Sequence, residues 1–303
     1  VRNSSGSTAE TKLVTSLYDA GNRKIVSSVS PAIKLSDTVK TMTQELKVTK
    51  PNLWSVDNPY LYRVVTEVVS GGRVADRYET LTGIRSFIFD SKQGFFLNGK
   101  PLKILGVCNH HDLGCLGAAV NTRAIERQLE ILKEMGCNGI RTSHNPPAPE
   151  LLDLCDRMGF IVMDEAFDMW KIKKTDYDYH LDYDEWHRRD LEDMVLRDRN
   201  HPSVFIWSIG NEIMEQWDTT GSGIPMVREL TAIVRALDDT RPITSACNDP
   251  QPHNPILSPG ALDLIGYNYR DTLYAGFPQA FPGGKFIGTE TTSALATRGS
   301  YDM

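Results

Sequence analysis

The sequence predicts an all-β module of about 86 residues followed by a (β/α)8 TIM barrel that stops after its seventh strand. Three observations carry this reading. Up to Ser86, apolar and polar residues alternate with period two between turn signals. Beyond Gly83 the texture changes to short apolar runs separated by helical patterns, the signature of a parallel sheet. Polar residues gather at the C-terminal ends of nearly all those runs, where a barrel builds its active site.

In residues 1–86 the alternation is clearest at 13–18, 44–48 and 62–69. Period two with β-branched residues means half-buried strands. Turn signals stand between them at Asp19-Ala20-Gly21-Asn22, Pro51-Asn52, Asp57-Asn58-Pro59 and Gly71-Gly72, a spacing that suits an immunoglobulin-like β-sandwich.

In residues 87–303 the strand candidates are 102–107, 139–142, 160–163, 204–209, 243–246, 262–267 and 286–288. Thr122 is placed to cap a helix that presents Ile125, Leu129 and Leu132 on one face and stops at Gly136. A second helix starts at Pro147 and Pro149, buries Leu151, Leu154, Cys155 and Met158, and ends at Gly159. Longer helical patterns follow at 184–199 and 223–237. Seven strand–helix units point to a barrel lacking its last strand, since an open set leaves two unpaired edges. The alternative is an open doubly wound sheet, but no Gly-rich phosphate turn follows the first strand.

Composition narrows the function. No stretch approaches the ~20 apolar residues of a membrane-spanning helix, so a membrane protein is excluded. With 33 basic against 39 acidic side chains and a net charge of −6, the chain lacks the basic footprint that nucleic acid requires. Its five cysteines are scattered without zinc-site spacing and read as free, mostly buried thiols. Residues 1–10 are polar and Ser-rich, with no secretory signal. Both ends look cut, so the compartment stays open between cytoplasm and periplasm.

The strand ends read Asn109-His110-His111-Asp112, Ser143-His144-Asn145, Asp164-Glu165, Asn211-Glu212, Asn248-Asp249, Asn268-Tyr269 and Glu290. One such residue is ordinarily a cap or an ion-pair partner; recurrence at seven successive ends is not explained that way. A ring of amides, imidazoles and carboxylates, with Trp170, Trp207 and Trp217 nearby in sequence, suits a sugar, whose hydroxyls need fixed partners and whose C–H faces stack on rings. Glycoside hydrolysis needs two carboxyl groups flanking one bond. Glu212 and Glu290 form the best pair, each following an apolar strand and a short turn. Asp164, Glu165 and Asp112 compete.

Two stretches resemble glycoside hydrolase family 2, which includes β-galactosidases, β-glucuronidases and β-mannosidases. Asp198-Arg199-Asn200-His201-Pro202-Ser203-Val204-Phe205-Ile206-Trp207-Ser208-Ile209-Gly210-Asn211-Glu212 resembles the family's acid/base signature without a departure. The run from Asn138 to Pro146, continuing through Asp156 to Met163, resembles the other signature, with Asn145 where a Tyr is usual. Phe95-Phe96-Leu97-Asn98-Gly99-Lys100-Pro101 is similar to the family's lead into the first barrel strand. The resemblance extends over essentially the whole chain.

It implies a retaining mechanism with Glu212 as general acid/base and Glu290 as nucleophile. By the same resemblance Asn211 holds the sugar 2-hydroxyl, His144, His110 and Asp112 contact substrate, and Tyr269 hydrogen-bonds the nucleophile. Against these roles, His144 could cap the helix that follows and Tyr269 could be wall packing, while His111 is expected to point away. Metal-binding galactosidases of the family carry a carboxylate and a His where Met169 and Lys171 stand here, so no cofactor is expected and an active-site magnesium is doubtful. The family's N-terminal jelly roll and eighth barrel strand are also missing, as in an excised core of a longer enzyme, whose full length could form a homo-oligomer. The expected activity is exo-β-galactosidase on a carbohydrate substrate. A β-glucuronidase or β-mannosidase is the rival within the class, and a catalytically silent carbohydrate-binding fragment the rival outside it.

Overall fold

The computed structural model describes residues 1–293. They divide into two compact units, one formed by Val1–Ser86 with Asp156–Gly159 and Asn200–Pro202, the other by the remainder.

The first unit is built on an antiparallel sheet of β1 (Ala9–Tyr18), β2 (Lys24–Val29), β3 (Ile33–Leu35), β4 (Tyr62–Ser70) and β5 (Arg73–Thr82). Their order is β2-β1-β4-β5, with β3 also on β1. Along β1, Thr11, Leu13, Thr15 and Leu17 are buried, so the period-two pattern does mark one inward face. The run at 44–48, expected as a strand, forms no ladder. Its side chains still alternate, with Met42, Gln44, Leu46 and Val48 half-buried and Thr43, Glu45 and Lys47 exposed. It is tied to β1 by side chains instead, Thr15 Oγ1 donating to Gln44 Oε1 at 2.6 Å. Alternation reports which face is buried; it does not specify a backbone partner.

The second unit opens with a small sheet of β6 (Phe87–Asp90), β7 (Gly94–Leu97) and β8 (Lys100–Pro101). Its Phe89 and Phe95 pack on Phe205, with ring centroids 5.9 and 5.4 Å apart. Seven parallel strands follow: β9 (Gly106–His110), β10 (Gly139–Ser143), β11 (Ile161–Glu165), β12 (Val204–Asn211), β13 (Ile243–Cys247), β14 (Ile265–Asn268) and β15 (Phe286–Glu290). They lie in one sheet in chain order. A doubly wound sheet would reverse that order partway; here it never reverses, which is barrel winding. Among the described residues no ladder joins β9 to β15, yet the sheet curls far enough for Cys108 Sγ to approach the Thr289 carbonyl oxygen at 3.1 Å.

All residues of β10, β11, β12 and β13 are buried, as expected of parallel strands covered on both faces. The covering helices are α1 (Thr122–Glu134), α2 (Pro149–Met158), α3 (Tyr183–Asp198), α4 (Gly223–Leu237) and the short α5 (Phe277–Ala280). Ile125 and Leu129 of α1, Leu151 and Leu154 of α2, Leu191 and Val195 of α3, and Leu230 and Val234 of α4 form their buried stripes. The N-cap of α1 is Asn121, whose Oδ1 accepts from Ala124 N at 3.0 Å; Thr122, expected to cap, is the first helical residue.

Three strands begin later than their apolar runs, β11 by a single residue, at Ile161. The first was expected at 102–107 and starts at Gly106, because Asn138 accepts from Leu105 N at 2.8 Å and donates to the Lys103 carbonyl at 2.9 Å. A side chain thereby occupies the backbone groups a ladder would need. The sixth, expected at 262–267, starts at Ile265 after Asp263 accepts from Ile243 N at 2.9 Å. All seven strands also run one or more residues further than expected, which brings His110, Ser143, Glu165, Asn211, Cys247, Asn268 and Glu290 into the strands themselves.

Gly266 shows how tightly the strands approach: a Cβ there would lie 2.5 Å from the Ser245 carbonyl oxygen. Backbone cannot yield as a side-chain tip can. Gly266→Ala should therefore destabilise the second unit by about 1–3 kcal/mol, read as a lowered denaturant midpoint with unchanged slope. A midpoint equal to wild type would show that the β13–β14 spacing relaxes freely.

Candidate active site

A cavity of about 1420 Å³ in the second unit, broadly open to solvent, is lined by residues from Phe95 and Phe205 to Glu212 and Glu290. His110, His144, Asn211 and Tyr269 also line it. Six of the seven residues expected in the site thus share one cavity. Asp112 does not line it; its Oδ1 accepts from Gly114 N at 2.6 Å in a local turn. His111 faces the Ala118 carbonyl, 2.9 Å from Nε2.

Backbone geometry aims the acidic and phenolic groups. Glu212 adopts φ 44°, a left-handed conformation costly for a residue with a Cβ, and its N–H donates to the Ala246 carbonyl at 2.7 Å. Gly210 permits the preceding close approach, since a Cβ there would be 3.0 Å from Trp170 Nε1. Tyr269 at φ 58° likewise leaves its strand in a left-handed turn, with its N–H bonded to the Glu290 carbonyl.

Arg141, in mid-β10 and 4% exposed, links most of these groups. Nη1 donates to Glu290 Oε1 at 2.7 Å, Nη2 donates to Asn211 Oδ1 at 2.8 Å, and Nε and Nη2 together grip Glu165 at 3.0 and 2.9 Å. Glu165, fully buried, also accepts from Ser208 Oγ at 2.6 Å and faces His144 Nδ1 at 2.8 Å. With the Nδ1 proton turned to that carboxylate, His144 points Nε2 toward Glu290 Oε1, 3.8 Å away. The His110 ring stands edge-on to His144 at 5.0 Å.

On the other carboxylate oxygen, Tyr269 Oη donates to Glu290 Oε2 at 2.6 Å. Burial works to raise the Glu290 pKa, but the hydrogen bonds from Tyr269 and Arg141 and the guanidinium charge outweigh it and hold the group below the ordinary range. Glu290 is therefore ionised. Asn268 Nδ2 donates both to Glu212 Oε1 at 2.9 Å and to Asn211 Oδ1 at 3.0 Å, while its own Oδ1 accepts from Thr289 Oγ1 at 2.6 Å. Thus a short polar chain joins Glu212 to the strand that carries Glu290.

The competing acids are engaged elsewhere. Glu165 is neutralised by Arg141, and Asp164 is fully buried, its pKa raised well above the carboxylate range by desolvation and by the neighbouring Asp198 charge. Neither lines the cavity. Trp170 and Trp207 are fully buried too, donating to the Ile209 carbonyl at 2.7 Å and to Asp238 at 3.0 Å. They are core residues and not sugar platforms, and Trp217 also lies outside the lining.

Arg141, Glu165's role as its partner and Asp168 were not anticipated from the sequence as site groups, and Asn268, noted at a strand end, was given no role. The signal available was Arg141 itself: an arginine inside an otherwise buried strand needs a buried acid. At the positions where the resemblance would put a metal-holding carboxylate and His, Met169 is buried and the Lys171 ammonium pairs with Asp184 at 2.8 Å. These two side chains offer a divalent cation no oxygen or imidazole ligand, so they do not fit that metal site.

Comparison with known proteins shows what the chain is similar to. The profile described as "Glycosyl hydrolases family 2, TIM barrel domain" matches residues 90–278, and "Glycosyl hydrolases family 2" matches residues 1–85. The chain is 52% identical to the β-galactosidase BoGH2A of Bacteroides ovatus over 99% of its own length and 39% of that protein's. It is 30% identical to a Bacteroides fragilis β-glucuronidase over 84% of its length and 36% of that protein's. A crystal structure of a family 2 member from Bacteroides cellulosilyticus superposes with a TM-score of 0.88 at 41% identity, covering 94% of this chain and 36% of that one. The chain therefore spans roughly two-fifths or less of the length of these relatives. It belongs to glycoside hydrolase family 2, with the family's sandwich domain followed by its TIM-barrel domain.

Proposed function

We propose that this chain carries the catalytic pair of a retaining exo-β-glycosidase acting on terminal β-D-galactosides, with Glu290 as nucleophile and Glu212 as general acid/base. The observation that carries the reading is that two carboxylates face one cavity in different states of support. Glu290 receives two charge-assisted hydrogen bonds, whereas Glu212 receives a single amide N–H on Oε1.

Chemistry follows from that asymmetry. The ionised Glu290 attacks the anomeric carbon as the bond to the aglycone oxygen breaks, and Glu212 delivers a proton to the departing oxygen. Because Asn268 occupies Oε1, the proton is carried on Oε2. Water then attacks the glycosyl ester with Glu212 as base, and Glu290 leaves as a carboxylate. His110, His144 and Asn211 line the cavity where sugar hydroxyls would lie, and Arg141 and Tyr269 steady the nucleophile. No metal enters the scheme, in keeping with Met169 and Lys171. We also read the first unit as immunoglobulin-like, supported by the inward face of β1 and the extended run tied to it.

Galactoside specificity rests on the higher identity to the β-galactosidase. Incubating the protein with nitrophenyl β-galactoside, β-glucuronide and β-mannoside, with the product anomer followed by NMR, tests the reading. Fastest release from the galactoside with first-formed β-galactose is expected. Preferential glucuronide cleavage would transfer the assignment to that class, and an α-anomer as first product would overturn the retaining mechanism.

Two variants probe the roles. Glu212→Gln should lower kcat/KM for an alkyl galactoside by about 10²–10⁴-fold while sparing activated aryl galactosides, which depart without protonation; equal losses would contradict the acid role. Tyr269→Phe removes a hydrogen bond that favours the charged form of Glu290, so its pKa rises. Activity is lost as pH falls through that pKa, and the acid limb of the kcat/KM profile should move up by about 1–2 pH units. An unmoved or lowered limb would exclude Tyr269 from that task.

A further inference from the structure

Outside the cavity lining, Asp168 and Lys174 form a half-buried pair behind Asn211. Lys174 Nζ donates to Asp168 Oδ1 and to the Asn211 backbone carbonyl, both at 2.8 Å. Asn211 Nδ2 donates to the same Asp168 oxygen at 2.8 Å. On the opposite end of the carboxamide, Oδ1 accepts from Arg141 Nη2 and Asn268 Nδ2.

These partners leave the Asn211 amide no freedom to flip. A guanidinium only donates, so the atom facing Arg141 is oxygen. A carboxylate only accepts, so the atom facing Asp168 is nitrogen. Asp168 stays ionised, because the hydrogen bonds from Asn211 and Lys174 and the ammonium charge outweigh the opposing effect of burial. Both lone pairs of Oδ1 and one hydrogen of Nδ2 are then used inside the protein. The second Nδ2 hydrogen is what Asn211 retains for a ligand.

We propose that Asp168, anchored by Lys174, is a positioning residue that sets Asn211 as a pure donor toward the substrate, so that the contact with the sugar 2-hydroxyl that the resemblance implies for Asn211 depends on Asp168. A 2-hydroxyl can accept that hydrogen bond; hydrogen at C2 and a protonated 2-amino group cannot. The inference rests on the glycosidase reading for its substrate, though the orientation of Asn211 does not.

The test compares wild type, Asp168→Ala and Asp168→Asn on nitrophenyl β-galactoside and its 2-deoxy counterpart. The ratio of kcat/KM values isolates the 2-hydroxyl. Asp168→Ala should lower that ratio by about 10-fold or more, since small misplacements of a binding group are costly. Asp168→Asn keeps an acceptor oxygen and should restore most of it. Equal losses on both substrates in Asp168→Ala, as a merely structural role would produce, overturn the proposal. The Asn211 side-chain amide resonances of labelled protein give a readout without substrate. In wild type one proton should be shifted downfield by the Asp168 carboxylate and lose that shift in Asp168→Ala. Unchanged resonances overturn the positioning role, whereas a lost shift in a protein inactive on all glycosides supports it and sinks the glycosidase reading alone.

Discussion

The site depends on one buried cation. Arg141 sits in the middle of a wholly buried strand, and its planar guanidinium spreads donors over Glu165, Glu290 and Asn211. A charge in such a place is tolerated only when paired and hydrogen-bonded on every side. Breaking a buried pair of this kind typically costs about 3–5 kcal/mol, so Glu165 and Arg141 hold each other in place. Against the effect of burial, the hydrogen bonds from Tyr269 and Arg141 and the guanidinium charge together keep Glu290 ionised.

That arrangement gives the cavity fixed dipoles before any ligand arrives, the condition under which electrostatic stabilisation acts without reorganisation. The same guanidinium touches the oxygen of Asn211, whose nitrogen is held from behind by Asp168. Asn211 and Glu290 therefore share one anchor. Glu212 is connected to it indirectly, through Asn268 and Asn211.

Much of this architecture was legible in the sequence because burial leaves a pattern. Seven apolar runs became seven parallel strands in chain order, and six of the polar residues at their ends line one cavity, Glu212 and Glu290 among them. What could not be read was pairing. The run at 44–48 alternates like a strand but has no ladder partner, and Asn138 displaced the start of β9 with a side chain. Asp168 reaches Asn211 across 43 positions of chain, a contact that only the tertiary fold specifies. Trp170 and Trp207 misled because proximity in sequence to a strand end does not say which side of the sheet a ring occupies; both lie in the core.

The central claim is that Glu290 becomes covalently bonded to the sugar. It is tested most directly by treating the protein with 2-deoxy-2-fluoro-β-galactosyl fluoride, which forms the glycosyl ester quickly and hydrolyses it slowly, and mapping the modified peptide by mass spectrometry. The account predicts one fluorosugar per chain, carried on Glu290. Modification of Glu212 or of another carboxylate, or turnover of the fluoride without any adduct, would contradict it.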